Sequence, residues 1–241
     1  MSSIYQNIYP LDPAKAGLPA EHIAEQLATF AIDVGSGCFF SGQPRVAFAR
    51  VAEQGLIQQG LIAAQINAAS FAGKIRIGRD CYCESGHLPA FHNLPIKLTS
   101  VQINDGDAGR IEIGNRVVLQ GVAILAYQSV VIEDEVSFGP MVTIMDSSGH
   151  PMLGRGMPGE ASQIKAAAVI IRQQAWIGTG ATILKGVEIG EGAIVGAQAV
   201  VYDDVPAYSI ALGNPARVVK RIDPQQVAAY RARIDELAYA A

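Results

Sequence analysis

Four histidines and three cysteines are the side chains of this chain best suited to moving a proton near neutral pH or holding a soft metal. His150 stands in SSGHPM, His87 and His92 share GHLPAFHN, and His22 lies in PAEHIAEQLATFAI, where helical spacing of the apolar residues gives it a structural part. An imidazole with the ordinary pKa of about 6.5 can take a proton from an attacking hydroxyl at neutral pH, which makes a loop histidine a candidate general base. The cysteines point less clearly to chemistry. Cys81 and Cys83 form a C-x-C pair, but no second Cys/His pair follows at zinc-site spacing, so no metal is expected. Together with Cys38 they make an odd count, too small for a disulfide framework, which fits a reducing compartment.

The elements that must position these residues follow from a beat of six. Ile171, Ile177, Ile183, Ile189, Val195 and Val201 recur at that interval, and the residues four further on are Ala175, Ala181, Val187, Ala193, Ala199 and Val205. The second series reads A, A, V, A, A, V and so repeats every eighteen residues. A helix would place apolar residues three and four apart, and an isolated strand would alternate by two. A coil with three flat sides satisfies both periods, one hexad per side, with equivalent residues stacked along the axis. Gly178, Gly190 and Gly196 follow the large aliphatic residue, where a side chain would crowd the next coil.

Upstream the beat has faults. Ile113, Leu119 and Leu125 keep it, the chain slips by one residue, and Ile132, Phe138 and Ile144 resume, with Val136 and Val142 at the paired inner position. Phe71, Ile77 and Cys83 start the first coil on this reading, and Cys81 and Cys83 point inward by phase. The stretches 84–110 and 145–168 lose the beat and are rich in Gly, Pro and polar residues, so they read as loops thrown out from a regular stack. His87 and His92 fall in the first loop and His150 in the second. Long loops on a rigid scaffold are where function concentrates.

The ends differ. Residues 1–70 carry apolar residues three or four apart and are expected to form a mainly helical region with turns at 35–42. Residues 71–222 form the coil stack. Residues 223–241 are expected to be a C-terminal helix with Val227, Tyr230, Ile234 and Leu237 on one face. The net charge of -4 argues against a nucleic-acid partner, which would call for a basic face. No apolar run reaches the roughly 18 residues of a membrane span, and the first residues lack signal-peptide character, so a cytoplasmic protein is expected.

The hexads of AWIGTGATILKGVEIGEGAIVGAQAVV, followed by VPAYSIALGNPARVVKRI and preceded by the histidine of SSGHPM, resemble the hexapeptide-repeat acyltransferases. In motif layout the chain is most similar to the galactoside, maltose and xenobiotic O-acetyltransferases, over roughly Ile111 to Ile222; residues 1–70 lie outside the resemblance. It implies a left-handed parallel β-helix, an exception to the right-handed crossover rule, assembled as a homotrimer with active sites between subunits. It also implies direct acetyl transfer from acetyl-CoA to a hydroxyl of a sugar or surface-polysaccharide precursor, with His150 as general base. Trp176, Thr179 and Ala197 match positions that contact coenzyme A, and Arg217 and Lys220 match basic positions that meet its phosphates. Gln120 matches a position that often bears an acceptor-contacting asparagine, and His87 and His92, with Tyr82 and Phe91, are candidates to line the acceptor pocket.

Two departures from the family pattern stand out. Arg172 replaces the usual glycine before WIG, and Tyr202-Asp203 replaces a frequent threonine-lysine pair. Two other readings remain open: N-acetyl transfer to an amino sugar, and a non-catalytic or zinc-binding coil stack in which His87, His92 and His150 are the available ligands.

Overall fold

The computed structural model describes residues 3–12 and 18–229. Successive short strands pass in turn to three sheets, so the chain winds into a stack of three-sided coils. We call the sheets faces A, B and C. Face B stacks Asp33–Val34, Ile75–Ile77, Arg110–Ile113, Ser129–Ile132, Val169–Ile171 and Glu188–Ile189; each of these strands is followed in sequence by one on face C and then one on face A. Pairing between coils is parallel and in register, with Ile132 on Ile171 on Ile189, Phe138 on Ile177 on Val195, and Ile144 on Ile183 on Val201.

Both series predicted from the beat of six are buried, the large aliphatic residues and the Ala/Val set alike. Burying a large and a small column side by side fills the interior at close packing, so neither column tolerates a change of volume. The corner glycines have the role expected of them: a Cβ on Gly178 would lie 2.6 Å from the amide nitrogen of Ala197 in the next coil. An Ala193→Leu variant forces a large side chain into the small column and is expected to lose about 1–3 kcal/mol of stability. Urea unfolding at fixed protein concentration would show it as a lower midpoint with an unchanged slope.

The structure corrects the reading upstream in three places. The stack begins at residue 33, not near 71, and the stretch 45–53 is a nine-residue strand, Arg45–Glu53, at the head of the parallel strands of face A. The beat of six already runs through Val34, Phe40 and Val46, which pair with Ile77, Cys83 and Leu98, so the first half of this strand belongs to the hexads. Its second half runs on past the corner, and Phe48 and Val51 there imitate helical spacing. The helices that do form in this region, Ala20–Ala28 and Gln54–Gln58, are short; the first buries Ile23 and Leu27 against the opening strands. Second, the stretch 84–110 is not one loop, because Lys97–Ile103 is a strand of face A that buries Leu98 beneath Ile124. Third, the inward residue of the third coil on face A is Ile124 and not Leu125: the side after Leu119 is one residue short, with Gly121 turning at positive φ, and the extra residues fall between Ile124 and Ile132.

At the other end the chain is helical from 224 to 229. Tyr230, Ile234 and Leu237 of the expected C-terminal face lie outside the described residues. No described helix is long and apolar enough to cross a membrane. Arg172, the departure from the family pattern, pairs with Glu133 at 2.8 Å and Glu188 at 2.9 Å, so a position that is usually small carries a charged staple across three coils.

Candidate active site

His150 sits on the edge where face A turns into face B. The loop that carries it leaves after Thr143–Met145 and returns at Val169–Ile171. Its root is held by two side chains. Asp146, fully buried, accepts the amide hydrogens of Tyr127, Gln128 and Ser129, each at 2.7 Å, which fastens the loop to the corner of the preceding coil. Burial pushes the Asp146 carboxyl above its ordinary range against the opposing pull of those three amides. The Ser147 hydroxyl donates to the carbonyl of Lys165 at 2.9 Å and accepts the amide of Gly149 at 3.1 Å, closing the loop at its neck.

The far side of the loop rests on two strands that the sequence pattern placed in a helical region and in a loop. Arg45–Glu53 and Lys97–Ile103 stay paired out to Val51 and Ile103, beyond the end of the next strand of face A. Val51 and Val101 on this extension form a small separate core with Ala161 and Ile164 of the loop, flanked by Leu125 and Tyr127. Glu53 accepts both the amide hydrogen, at 3.0 Å, and the hydroxyl of Ser162. A strand from the N-terminal region, Ser3–Ile8, pairs antiparallel along the outside of this platform and sets Tyr5 opposite Val51.

Held in this way, the loop folds back on itself so that His150 meets Glu160. The imidazole Nδ1 lies 2.6 Å from Glu160 Oε1, and Glu160 Oε2 accepts the amide of Gly156 at 2.7 Å. Glu160 is buried, whereas a third of the His150 side chain is exposed. An ionised carboxylate can only accept, so Nδ1 is the donor in this pair, and in a neutral imidazole Nε2 then keeps its lone pair. A neutral histidine held in this way can act as a general base, with a carboxylate beside it to stabilise an imidazolium. Tyr127 approaches from beneath, its hydroxyl 3.3 Å from where a Cβ on Gly149 would stand; burial pushes its phenol up to about 12, so it remains a neutral donor at physiological pH. Glu160 was not among the residues singled out from sequence. It lies ten residues from the histidine in an aperiodic loop, and no spacing rule connects them.

The other predicted residues gather elsewhere. Thr179 and Ala197 are stacked at the corner between faces C and A, one coil apart, and among the described residues neither amide hydrogen has an acceptor. Gln120 ends a face C strand on the same edge, and the exposed His87 and His92 project from the 85–96 loop, which also leaves at that edge and whose Asn93 and Leu94 abut Gly121. Trp176, half-exposed, stands on the outer surface of face C beside Ile194, in an apolar groove of about 380 Å³ that Ile222 and Val227 also line. Arg217 and Lys220 lie on the exposed strand Arg217–Arg221 at the last coil, and Arg217 approaches Asp203 at 3.5 Å. The second departure therefore puts a carboxylate beside one of the two predicted phosphate contacts. The structure thus brings Gln120, His87, His92, Thr179 and Ala197 to one edge of the prism and His150 to another. Among the described residues no three His, Cys, Asp or Glu side chains converge as a metal site.

Comparison with known proteins agrees with this architecture. Residues 168–203 match the family described as bacterial transferase hexapeptide (six repeats). The chain is 44% identical over 70 residues to the 2,3,4,5-tetrahydropyridine-2,6-dicarboxylate N-acetyltransferase of Enterococcus faecalis, a match covering 29% of this chain and 30% of that protein. It is 31% identical over 106 residues to WbbJ of Escherichia coli K12, assigned as a lipopolysaccharide biosynthesis O-acetyl transferase, covering 42% of this chain and 54% of that one. The chain therefore spans between about a third and about half the length of these relatives. Among solved structures, AntD of Bacillus cereus, an N-acyltransferase crystallised with dTDP and 3-hydroxybutyryl-CoA, matches with a TM-score of 0.59 at 17% identity, over 89% of this chain and 96% of that one. At that identity the likeness speaks for the fold. The resemblance to hexapeptide-repeat acyltransferases is borne out, and the relatives include both O- and N-acetyl transfer.

Proposed function

We propose that the protein is a cytoplasmic acetyl-CoA-dependent O-acetyltransferase, a left-handed β-helix acting as a homotrimer on a hydroxyl of a sugar or surface-polysaccharide precursor. The observation that carries this reading is the His150–Glu160 pair, an oriented base with a free Nε2 on a loop anchored at both ends. As the acceptor oxygen attacks the thioester carbonyl, Nε2 takes its proton; the C–S bond then breaks, and the sulfur of coenzyme A leaves with the proton returned by the imidazolium. Donor and acceptor meet in one ternary complex, with no acetyl-enzyme.

The donor lies along the edge between faces C and A. Ala197 and Thr179 offer free amides there, with Trp176 as a wall and Arg217 and Lys220 toward the phosphates. Coils repeat at about 4.8 Å, so the edge from Ala197 to Gln120 spans three intervals, about 14 Å, along which an extended pantetheine arm can lie with its thioester toward Gln120, His87 and His92. Because His150 occupies a different edge, one chain cannot close its own site. A closed ring of three that sets the His150 edge of one subunit against the donor edge of the next completes three sites.

Calorimetric titration with acetyl-CoA, with the molar mass followed by light scattering, tests the assembly and the donor together. We expect saturable binding at one site per chain in a particle of three chains; a monomer without measurable affinity would overturn the reading. A second reading, N-transfer to an amino sugar, is favoured by the N-acetyltransferase of Enterococcus faecalis among the relatives, and a panel of hydroxyl and amino sugars separates the two. Glu160→Gln keeps the shape of the loop but removes the charge that steadies the imidazolium. Turnover is expected to fall about 10–100-fold, the worth of one charge-assisted hydrogen bond, with little change in the acetyl-CoA dissociation constant; unchanged turnover would leave Glu160 a loop-folding residue only.

A further inference from the structure

The site described above uses none of the thiols, yet two of them are placed against each other at the start of the stack. Cys38 precedes the strand Phe39–Ser41 and Cys81 precedes Tyr82–Glu84, and these strands pair in parallel with Phe39 on Tyr82 and Phe40 on Cys83. Cys38 and Cys81 are thus stacked neighbours in adjacent coils. Parallel pairing sets such neighbours about 4.8 Å apart, within the roughly 4.4–6.8 Å between Cα atoms that a disulfide spans.

Both sulfurs lie near the Gly78 carbonyl, although Cys81 Sγ is closer, at 3.2 Å, to the carbonyl oxygen of Gly114. Cys38 Sγ lies 3.1 Å from the carbonyl oxygen of Gly78, and Cys81 Sγ lies 3.7 Å from the same oxygen. Further down this corner the equivalent positions are Val117, Val136, Ala175 and Ala193, all buried and unreactive. Only the first two levels carry sulfur, and there the column meets the end of the stack: Cys81 is buried, while Cys38 is partly exposed.

We propose that Cys38 and Cys81 are a thiol pair that forms a reversible disulfide, with Cys38 the site of attack on a small-molecule disulfide of the glutathione class and Cys81 the resolving thiol. The Cys38 thiolate attacks one sulfur of oxidised glutathione; that S–S bond breaks, and one glutathione departs as its thiolate. Cys81 then attacks the Cys38 sulfur as its proton passes to the glutathione sulfur it displaces, so that the second glutathione departs as the thiol. Two protein thiols are oxidised by two electrons, and one oxidised glutathione is reduced to two thiols. The hydrogen bond from the Cys81 thiol holds the Cys38 thiol below its ordinary range, which raises its thiolate fraction at neutral pH, while the same contact and burial push Cys81 up. Cys83, buried in the next column inward, is also pushed up by burial and takes no part.

The test exposes the folded full-length chain to oxidised glutathione, quenches in acid, blocks remaining thiols with N-ethylmaleimide under denaturing conditions, and maps peptides by mass spectrometry. The expected result is a Cys38–Cys81 cross-link, reversed by dithiothreitol, with Cys83 blocked by the reagent. Cys81→Ala, which places in the column the residue it carries at Ala175, should stop at a glutathione adduct on Cys38, and Cys38→Ala should take up neither. Three blocked thiols in the exposed wild-type chain, a cross-link through Cys83, or a glutathione adduct that persists on Cys38 while Cys81 is intact would each overturn the proposal. Because the wild-type map decides the matter alone, it stands as a test even if a variant fails to fold.

Discussion

His150→Ala is expected to lower turnover by about 10²–10⁴, the range for loss of a general base, while the affinity for acetyl-CoA stays within about twofold. The separation is anticipated because the residues assigned to the donor, Thr179, Ala197, Trp176, Arg217 and Lys220, lie on face C, its corner with face A, or the last coil, and among the described residues none has a backbone hydrogen bond to the loop that carries the histidine. What the substitution removes is Nε2 and its proton transfer; Glu160 keeps its bond from the Gly156 amide, so the loop retains an anchor at its tip as well as those at its root. The measurement is the rate of thiol release with whichever hydroxyl or amino sugar proves the best acceptor, beside a calorimetric titration of the same preparation. A large loss of turnover with intact binding assigns the base. Equal losses in both would mean that the loop has collapsed and that His150 matters through shape, and full turnover would remove it from the mechanism.

How much of this was legible in the residues depends on whether a feature has a period. The columns from Ile171 to Val201 and from Ala175 to Val205 were readable because each coil repeats the same packing demand, and Thr179 and Ala197 inherit their place from that phase. The start of the stack carried the same signal in Val34, Phe40 and Val46. It was masked because Arg45–Glu53 overruns its corner by several residues and adds Phe48, Val51 and Ala52, which together imitate a helix face. Ile124 was misplaced by one position because the turn at Gly121 shortens its side of the coil, a local event that periodicity cannot show. Glu160 was beyond reach for a stronger reason: it meets His150 only because the loop is tied at Asp146, Ser147 and Ser162, and those ties are tertiary. The residues assigned chemistry here were chosen by type and context, while the residues that hold His150 in place were not visible in either.

The strongest of those ties is expected to be costly to cut. Asp146→Ala should lower the stability of the folded chain by about 3–5 kcal/mol. The carboxylate is fully buried, with Oδ1 taking the amide of Tyr127 and Oδ2 those of Gln128 and Ser129. Truncation leaves three N–H groups facing an apolar gap, each costing about 1–3 kcal/mol when unpaired; the sum falls below three full penalties because a cavity of this size at the edge of the stack can admit water. Asp146→Asn is the informative companion. An amide has one acceptor oxygen, and its own N–H₂ would point at an amide hydrogen, so it should recover part of the loss and no more. Urea midpoints at one fixed protein concentration measure both, since assembly would otherwise add its own term. The corner that Asp146 closes joins Ala123–Ala126 to Ser129–Ile132 in the coil before the one that carries the loop, so the same substitution should also free the root of the His150 segment, seen as faster amide exchange at 147–168. A loss under about 1 kcal/mol would mean that water already serves those amides, and the placement of His150 would then rest on the Val51 and Glu53 platform rather than on its own root.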